Sequence, residues 1–349
     1  METVLTASRS EECVAVNETV DVAAARRAAA DLARRLGFAQ EPAARLALVL
    51  TEAATNILKH AGHGEILLRS VMGNTAAGAA VRGIEMLAID SGPGMRDARA
   101  AMTDGSSTAG TYGVGLGAIR RQSDEFDLYS WPERGTILRA VLWEAPGARQ
   151  PWQCGLVCLP LAGEQRCGDA GWAATVDDGL LSMVVDGLGH GDAAADAAEG
   201  AVQVLADMAA VSRVRPPAEL VPPMHAALQK TRGAAVAVAS IDVQAGKVRF
   251  AGVGNIACCT SLDGQRRHLV SVNGIVGHNL RKVQQFETPW EDGMLLILHS
   301  DGLTSRWSLD GYPGVEQAHA AVIAALLYRD FYRGRDDVSV MVLRQGEAG

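Results

Sequence analysis

A chain of 349 residues, 48% of them apolar and 21% charged, carries enough material for two buried cores, so two globular domains are expected. A formal charge of −8, from 32 Lys+Arg against 40 Asp+Glu with no basic run, argues against nucleic acid or an anionic membrane as partner. No stretch of about 18 apolar residues occurs, and the first residues show no basic-then-apolar leader, so a soluble cytosolic protein is expected.

In chain order, an Ala/Arg-rich stretch at 22–36 repeats its apolar residues at helical spacing, with Gly37 placed to stop it in a left-handed conformation. Pro42 then opens a second helix that runs to His60, ended by Gly62 and Gly64. Strands are expected over 65–72 and 83–90, followed by a Gly/Ser/Thr-rich loop to Gly117, a helix over 118–124, and strands over 126–131 and 136–143. This order reads as an α/β sandwich. The turn-rich segment 145–151 reads as a linker, giving a first domain of residues 1–145 and a second of 152–349.

Beyond the linker the pattern becomes strand-rich, with runs at 155–161, 171–176, 180–185, 234–242, 247–252, 294–299 and 338–343. Helical stretches near 193–208, 223–230 and 315–328 interrupt them, which suggests a layered sandwich of antiparallel sheets with covering helices. The six cysteines include no CxxC pair, so they read as free thiols rather than as a metal site shared by Cys154, Cys158 and Cys167.

Three features of the first domain fall in order. Glu52, Asn56 and His60, at i, i+4 and i+8, share one face of the second helix. Asp90-Ser-Gly92-Pro-Gly94 leaves the end of a strand, and Gly113-Val-Gly115-Leu-Gly117 runs into a helix whose first N–H groups can hold phosphate oxygens. Each alone reads as a solvated stripe, a plain turn or a flexible loop. Together they resemble the N, G1 and G2 boxes of the GHKL ATPases, nearest to the RsbT-type serine kinases that act on switch proteins in bacterial stress signalling. Asn56-Ile-Leu-Lys-His-Ala-Gly62 and Asp124-Glu-Phe126 fit the same resemblance.

That resemblance implies a Bergerat-type sandwich binding ATP and Mg²⁺. Asn56 would ligate the Mg²⁺, and Glu52 would act on the attacking hydroxyl. Asp90 would read the adenine amino group, with Gly92 and Gly94 leaving room for the ring. Gly113, Gly115 and Gly117 would let a lid close over the phosphates. It also implies a small STAS-domain switch protein as substrate. The lid from Ala100 to Gly117 contains no Lys or Arg, so the cation that phosphoryl transfer profits from falls to Arg120, Arg121 or a partner.

In the second domain the informative residues are aspartates at strand ends: Gly168-Asp169, Asp186-Gly-Leu-Gly-His-Gly191, Ser300-Asp301-Gly302 and Asp336-Asp337-Val-Ser339. Any single Asp-Gly is most often a turn. The four in this order, each beside an apolar strand, resemble the PPM metal-dependent serine/threonine phosphatases, in particular the SpoIIE- and RsbX-like branch. Gly252-Val-Gly-Asn-Ile256 is a lesser match to the same family.

The second resemblance implies an α-β-β-α sandwich with two hard cations, Mn²⁺ or Mg²⁺, held by oxygen ligands. Asp186 would bridge them with the Gly187 carbonyl beside it, Asp301 and Asp336 would hold the second, and Asp169 would contribute directly or through water. Asp337 would support from behind, and His190 would stand near the phosphate. The expected function is thus a bifunctional switch protein, phosphorylating a STAS-type protein and hydrolysing phosphoserine or phosphothreonine. The alternative is a first domain that binds nucleotide without transfer, sensing it or sequestering a partner such as a sigma factor.

Overall fold

A reciprocal cap starts the first long helix. The Asp21 carboxylate accepts the N–H groups of Asn17 and Glu18 at 2.8 and 2.9 Å, and α1 (Thr19–Leu36) runs from there to Gly37. Gly37 adopts φ 76°, and its N–H turns back to the last carbonyls. In the computed structural model the described residues are 5–7, 12–98, 102, 115–176, 179–211 and 215–346. Two compact units divide the chain, one of Met1–Ser10, Pro151–Gly311 and Leu326–Gly349, the other of Glu11–Gln150 and Tyr312–Ala325.

The unit that holds most of the N-terminal half is an α/β sandwich. Its antiparallel sheet comprises β2 (Glu12–Val16), β3 (Gly64–Asn74), β4 (Ala80–Asp90), β5 (Glu125–Ser130) and β6 (Thr136–Trp143), in the order β2-β3-β4-β6-β5. One face packs Ile66, Met86 and Leu138 against Leu46, Leu50 and Ala54 of α2 (Gln40–His60). The short α3 (Gly115–Gln122) adds Ile119 to this core. On the other face, Glu85 is 1% exposed and lies between Arg69 and Arg139, with nitrogen–oxygen distances of 2.5 Å to each. Burial alone would raise the Glu85 carboxyl. The two guanidiniums outweigh it and hold the carboxyl below its ordinary range.

The other unit stacks two sheets. Strands β1 (Leu5–Ala7), β8 (Asp169–Val176), β9 (Gly179–Gly187), β10 (Ala234–Asp242), β11 (Lys247–Val253) and β14 (Phe286–Pro289) form one, in the order β1-β8-β9-β10-β11-β14. Strands β7 (Trp152–Leu159), β12 (Ala257–Leu262), β13 (Gln265–Leu269), β15 (Leu295–His299) and β16 (Val338–Gln345) form the other, in the order β13-β12-β15-β16-β7. Leu156, Val184, Phe250, Leu296 and Met341 fill the layer between them. The outer face of the six-stranded sheet packs Met183, Val185 and Val236 against α4 (Asp192–Val211) and α5 (Pro217–Leu228).

Several boundaries differ from the sequence expectation for local reasons. Helix α3 is already helical at Gly115, where the described residues resume, and ends at Gln122. Helix α5 begins at Pro217, using proline where no N–H partner is needed, and carries Pro222 and Pro223 within it. The short strands β12, β13 and β14 lack a long apolar run; β13 reads Gln-Arg-Arg-His-Leu. The last helix, α6, spans Ala320–Phe331 after a single 3₁₀ turn at Val315–Gln317. All six cysteines are free thiols, and all but Cys13 are buried.

Candidate active sites

In the first unit the end of β4 and the face of α2 meet. Asp90 is the last residue of β4, and its Oδ1 accepts the N–H of Gly92 at 2.8 Å and of Thr136 at 3.1 Å. Two donors on one oxygen fix the carboxylate plane at the strand end. Gly92 packs on the end of α2, where a Cβ would stand 2.7 Å from that of Ala61. Gly94 has φ 65°, and a Cβ there would come within 1.9 Å of the Trp131 carbonyl oxygen. Only glycine satisfies both demands. Ser130 braces the loop from behind, accepting the Met95 N–H at 2.9 Å and donating to the Gly135 carbonyl at 3.0 Å.

Glu52 and Asn56 are half-buried on one face of α2, and His60 is exposed at its end. The Asn56 amide lies against Gly115, where a Cβ would stand 3.0 Å from Oδ1 and 3.2 Å from Nδ2. Its Nδ2 is buried and has no hydrogen-bond partner among the described residues. A buried orphan amide calls for a polar ligand, and it faces the start of α3, where phosphate oxygens would be received. Gly117 is buried in the first turn of α3; Gly113 and most of the lid lie outside the described residues. Arg45, which sequence reasoning did not single out, joins α2 to the end of α3. Its guanidinium donates to the Gln122 carbonyl and to Asp124, both from Nη2, at 2.8 and 2.7 Å.

In the second unit the aspartates gather where strands of both sheets end. Asp169 and Asp186 are cross-strand partners on β8 and β9. Gly187 follows, and its N–H donates to the Gly168 carbonyl at 2.9 Å; a Cβ there would meet the Ala194 carbonyl at 2.1 Å. Asp301 follows β15 and Asp336 precedes β16. Asn255, from the Gly252–Ile256 turn, donates its amide to Asp301 Oδ2 at 2.8 Å. That turn needs Gly254, at φ 102° with no room for a Cβ beside Ala235.

Electrostatics mark this cluster. Burial, with the charges of Asp301 and Asp336 added to it, pushes the Asp186 carboxyl up to about 7. Asp169 is 5% exposed, and burial followed by the charge of Asp186 raises it well above the carboxylate range. Its Oδ2 is buried without a hydrogen-bond partner among the described residues. Crowded carboxylates with an orphaned oxygen fit hard divalent cations. Among the described residues no three His, Cys, Asp or Glu side chains gather closely enough to hold an ion by themselves. Carbonyl and water oxygens must therefore complete any shell.

Asp337 has a different task from its neighbour. Its two oxygens accept the N–H groups of Leu161 and Gly168 at 2.7 and 2.8 Å, closing the 161–168 loop at both ends. From that loop Glu164 reaches His190 Nδ1 at 2.6 Å. Sequence spacing gave no signal for Glu164, which is 26 residues from its partner. A cleft of about 350 Å³ opens beside Asp186, lined by Leu188, Asn255, Asn273 and Ile275 among others.

Comparison with known proteins finds a match for each half of the chain. The profile of the histidine kinase-like ATPase domain matches residues 15–142, and that of stage II sporulation protein E matches 177–345. The serine/threonine-protein kinase RsbT of Bacillus subtilis is 37% identical over 133 residues, which span 38% of this chain and 96% of RsbT. The chain belongs to the RsbT kinase family, with a SpoIIE-type phosphatase domain following. The phosphoserine phosphatase RsbX of the same organism is 25% identical over 142 residues, 40% of this chain and 69% of RsbX. A solved structure described under the bacterial stressosome, a modular system adapted to control secondary messenger signaling, aligns with 55% of this chain and 99% of its own length. Its TM-score is 0.51 and its identity 27%. The RsbT-like domain and the SpoIIE-type domain thus account for the two α/β folds. No helix among the described residues is long and apolar enough to cross a membrane.

Proposed function

We propose that this chain is a cytosolic bifunctional switch enzyme: it phosphorylates a serine of a STAS-domain protein with Mg-ATP and hydrolyses phosphoserine or phosphothreonine at its second domain. The observation that carries the reading is the pairing of two sites in one chain. An orphaned Asn56 amide faces Gly115 in one, and Asp169 and Asp186, both raised, are cross-strand partners in the other.

In the kinase site Asp90, held by two backbone donors, accepts from the adenine amino group, and Gly92 and Gly94 admit the ring. Asn56 holds Mg²⁺ through its amide oxygen, while Gly113, Gly115 and Gly117 close over the phosphates. Glu52, one turn before Asn56, accepts the proton of the serine hydroxyl as that oxygen bonds to the γ-phosphorus and ADP leaves.

In the phosphatase site Asp169, Asp186, the Gly187 carbonyl, Asp301 and Asp336 hold Mn²⁺ or Mg²⁺. When bound, such a cation pair supplies the charge that acidifies an attacking water and neutralises the phosphoryl oxygens. Asn255 keeps Asp301 aimed, and Asp337 keeps the neighbouring loop closed. RsbT and RsbX, named as a kinase and a phosphoserine phosphatase, support pairing these two activities.

One observation favours a second reading, in which the first domain only senses nucleotide or holds a partner. The lid from Ala100 to Gly117 carries no Lys or Arg for the developing phosphoryl charge. Incubation with labelled ATP and STAS-domain proteins, with and without Mn²⁺, separates the two. Labelling that Mn²⁺ reverses supports the bifunctional enzyme; ATP binding without labelling supports the sensor.

A further inference from the structure

Arg232 stands against the turn that follows Asp186. It is exposed, and among the described residues it makes no ion pair or hydrogen bond. Other arginines of this unit do pair: Arg166 reaches Asp192, Asp196 and Glu199, and Arg249 reaches Asp242 and Glu287. Unlike these, the Arg232 guanidinium has no carboxylate partner among the described residues. Its Nη1 lies instead over Gly189 of the Asp186–Gly191 turn, 3.1 Å from where a Cβ on that residue would be. Gly189 adopts φ 83°, so the turn itself demands glycine and leaves the space for the guanidinium.

The backbone that carries Arg232 is fixed on both sides. Thr231 donates its N–H and its hydroxyl to the Leu228 carbonyl at 2.9 and 2.8 Å, and the Gly233 N–H donates to Thr231 Oγ1 at 3.0 Å. The Gly233 carbonyl accepts the Leu188 N–H at 3.0 Å, which ties this strap directly to the turn after Asp186. A cation without a protein partner, carried on a backbone strap tied to the turn that follows Asp186, suits a doubly charged phosphoryl group. The guanidinium fork matches phosphate oxygens, and a cation offsets the repulsion that a dianion meets from the aspartates.

We infer that Arg232 binds the phosphoryl group of the phosphoserine substrate at the second site. The assignment deepens the phosphatase reading and rests on it. Sequence patterns gave no hint of it, because Arg232 lies between α5 and β10, outside every strand-end aspartate motif.

The test uses the full chain and two titrations by calorimetry: Mn²⁺ alone, and inorganic phosphate into the Mn²⁺-loaded protein. Arg232→Ala is expected to weaken phosphate binding roughly tenfold to hundredfold, the size of a lost charge-assisted hydrogen bond, with Mn²⁺ affinity unchanged. Arg232→Lys should keep an intermediate phosphate affinity, since the charge remains and the fork is lost. With a phosphoserine peptide, Arg232→Ala should raise KM more than it lowers kcat. Phosphate affinity equal to wild type in Arg232→Ala, with Mn²⁺ bound normally, overturns the assignment alone. So does a phosphate loss that only follows a loss of Mn²⁺. Wild-type protein that binds no Mn²⁺ overturns the phosphatase reading and this assignment together.

Discussion

Asp169 and Asp186 face each other as partners across β8 and β9, each raised by burial and by neighbouring negative charge. Two carboxylates so placed repel each other when both ionise, and the strain is relieved by a proton or by a cation. The pH behaviour of the second domain follows from this pair.

If Asp186 holds the cation as proposed, Mn²⁺ binding displaces the proton that this carboxyl, raised to about 7, retains below that pH. Affinity measured by calorimetry should therefore climb from pH 6 to pH 7, by up to about tenfold for one displaced proton, and level off above pH 8. A flat profile from pH 6 to pH 8 would show that Asp186 is already ionised or is not a ligand.

A carboxyl raised in the fold contributes stability below its ordinary value of 3.8 and loses it as pH rises through about 7. Asp186→Asn cannot ionise, so without metal it should melt higher than wild type at pH 8 and close to wild type at pH 4. Mn²⁺ should raise the melting temperature of wild type and not that of Asp186→Asn. Equal melting temperatures at pH 8 without metal would contradict the crowding of charge.

In the first domain Glu85 neutralises two buried guanidiniums, so Glu85→Gln should leave Arg69 and Arg139 short of a countercharge. Breaking a buried ion pair from one side costs about 3–5 kcal/mol, to be read from chemical denaturation. The Glu85 pKa is depressed, so its contribution is present above the ordinary value of 4.5 and is lost as pH falls below it. A loss under 1 kcal/mol at pH 7 would mean that water reaches the arginines.

Asp337→Asn offers the 161–168 loop one acceptor where two N–H groups now bind. Amide exchange at Leu161 and Gly168 should quicken while exchange in the β9 core stays slow. Unchanged protection at both amides would remove the clamp from the account.

The long elements were readable because their patterns are local. Alanine and leucine spacing marks α1 and α2, and the apolar runs of β9, β10 and β15 are nearly continuous. The strand-end aspartates were readable for the same reason: Asp186 and Asp301 are each an abrupt Asp-Gly after an apolar run, and Asp169 and Asp336 stand just at or before the start of one. Glu164, Asn255 and Arg45 were not readable as partners, because each acts across the chain. Asn255 meets Asp301 over 46 residues and Arg45 meets Asp124 over 79. Short strands such as β13 escaped as well, since pairing with β12 rather than apolar content holds them in the sheet.

The central claim is that one chain both adds and removes a phosphoryl group, and it is tested most directly with the phosphatase site disabled. Asp186→Asn protein, given labelled Mg-ATP and a STAS-domain protein, should transfer label to serine. Adding Glu52→Gln to the same chain should suppress transfer about 10²–10⁴-fold with ATP binding nearly intact, and wild-type protein with Mn²⁺ should remove the label. Tight Mg-ATP binding by the Asp186→Asn protein with no label on the partner would contradict the kinase half of the account and leave a nucleotide sensor joined to a phosphatase.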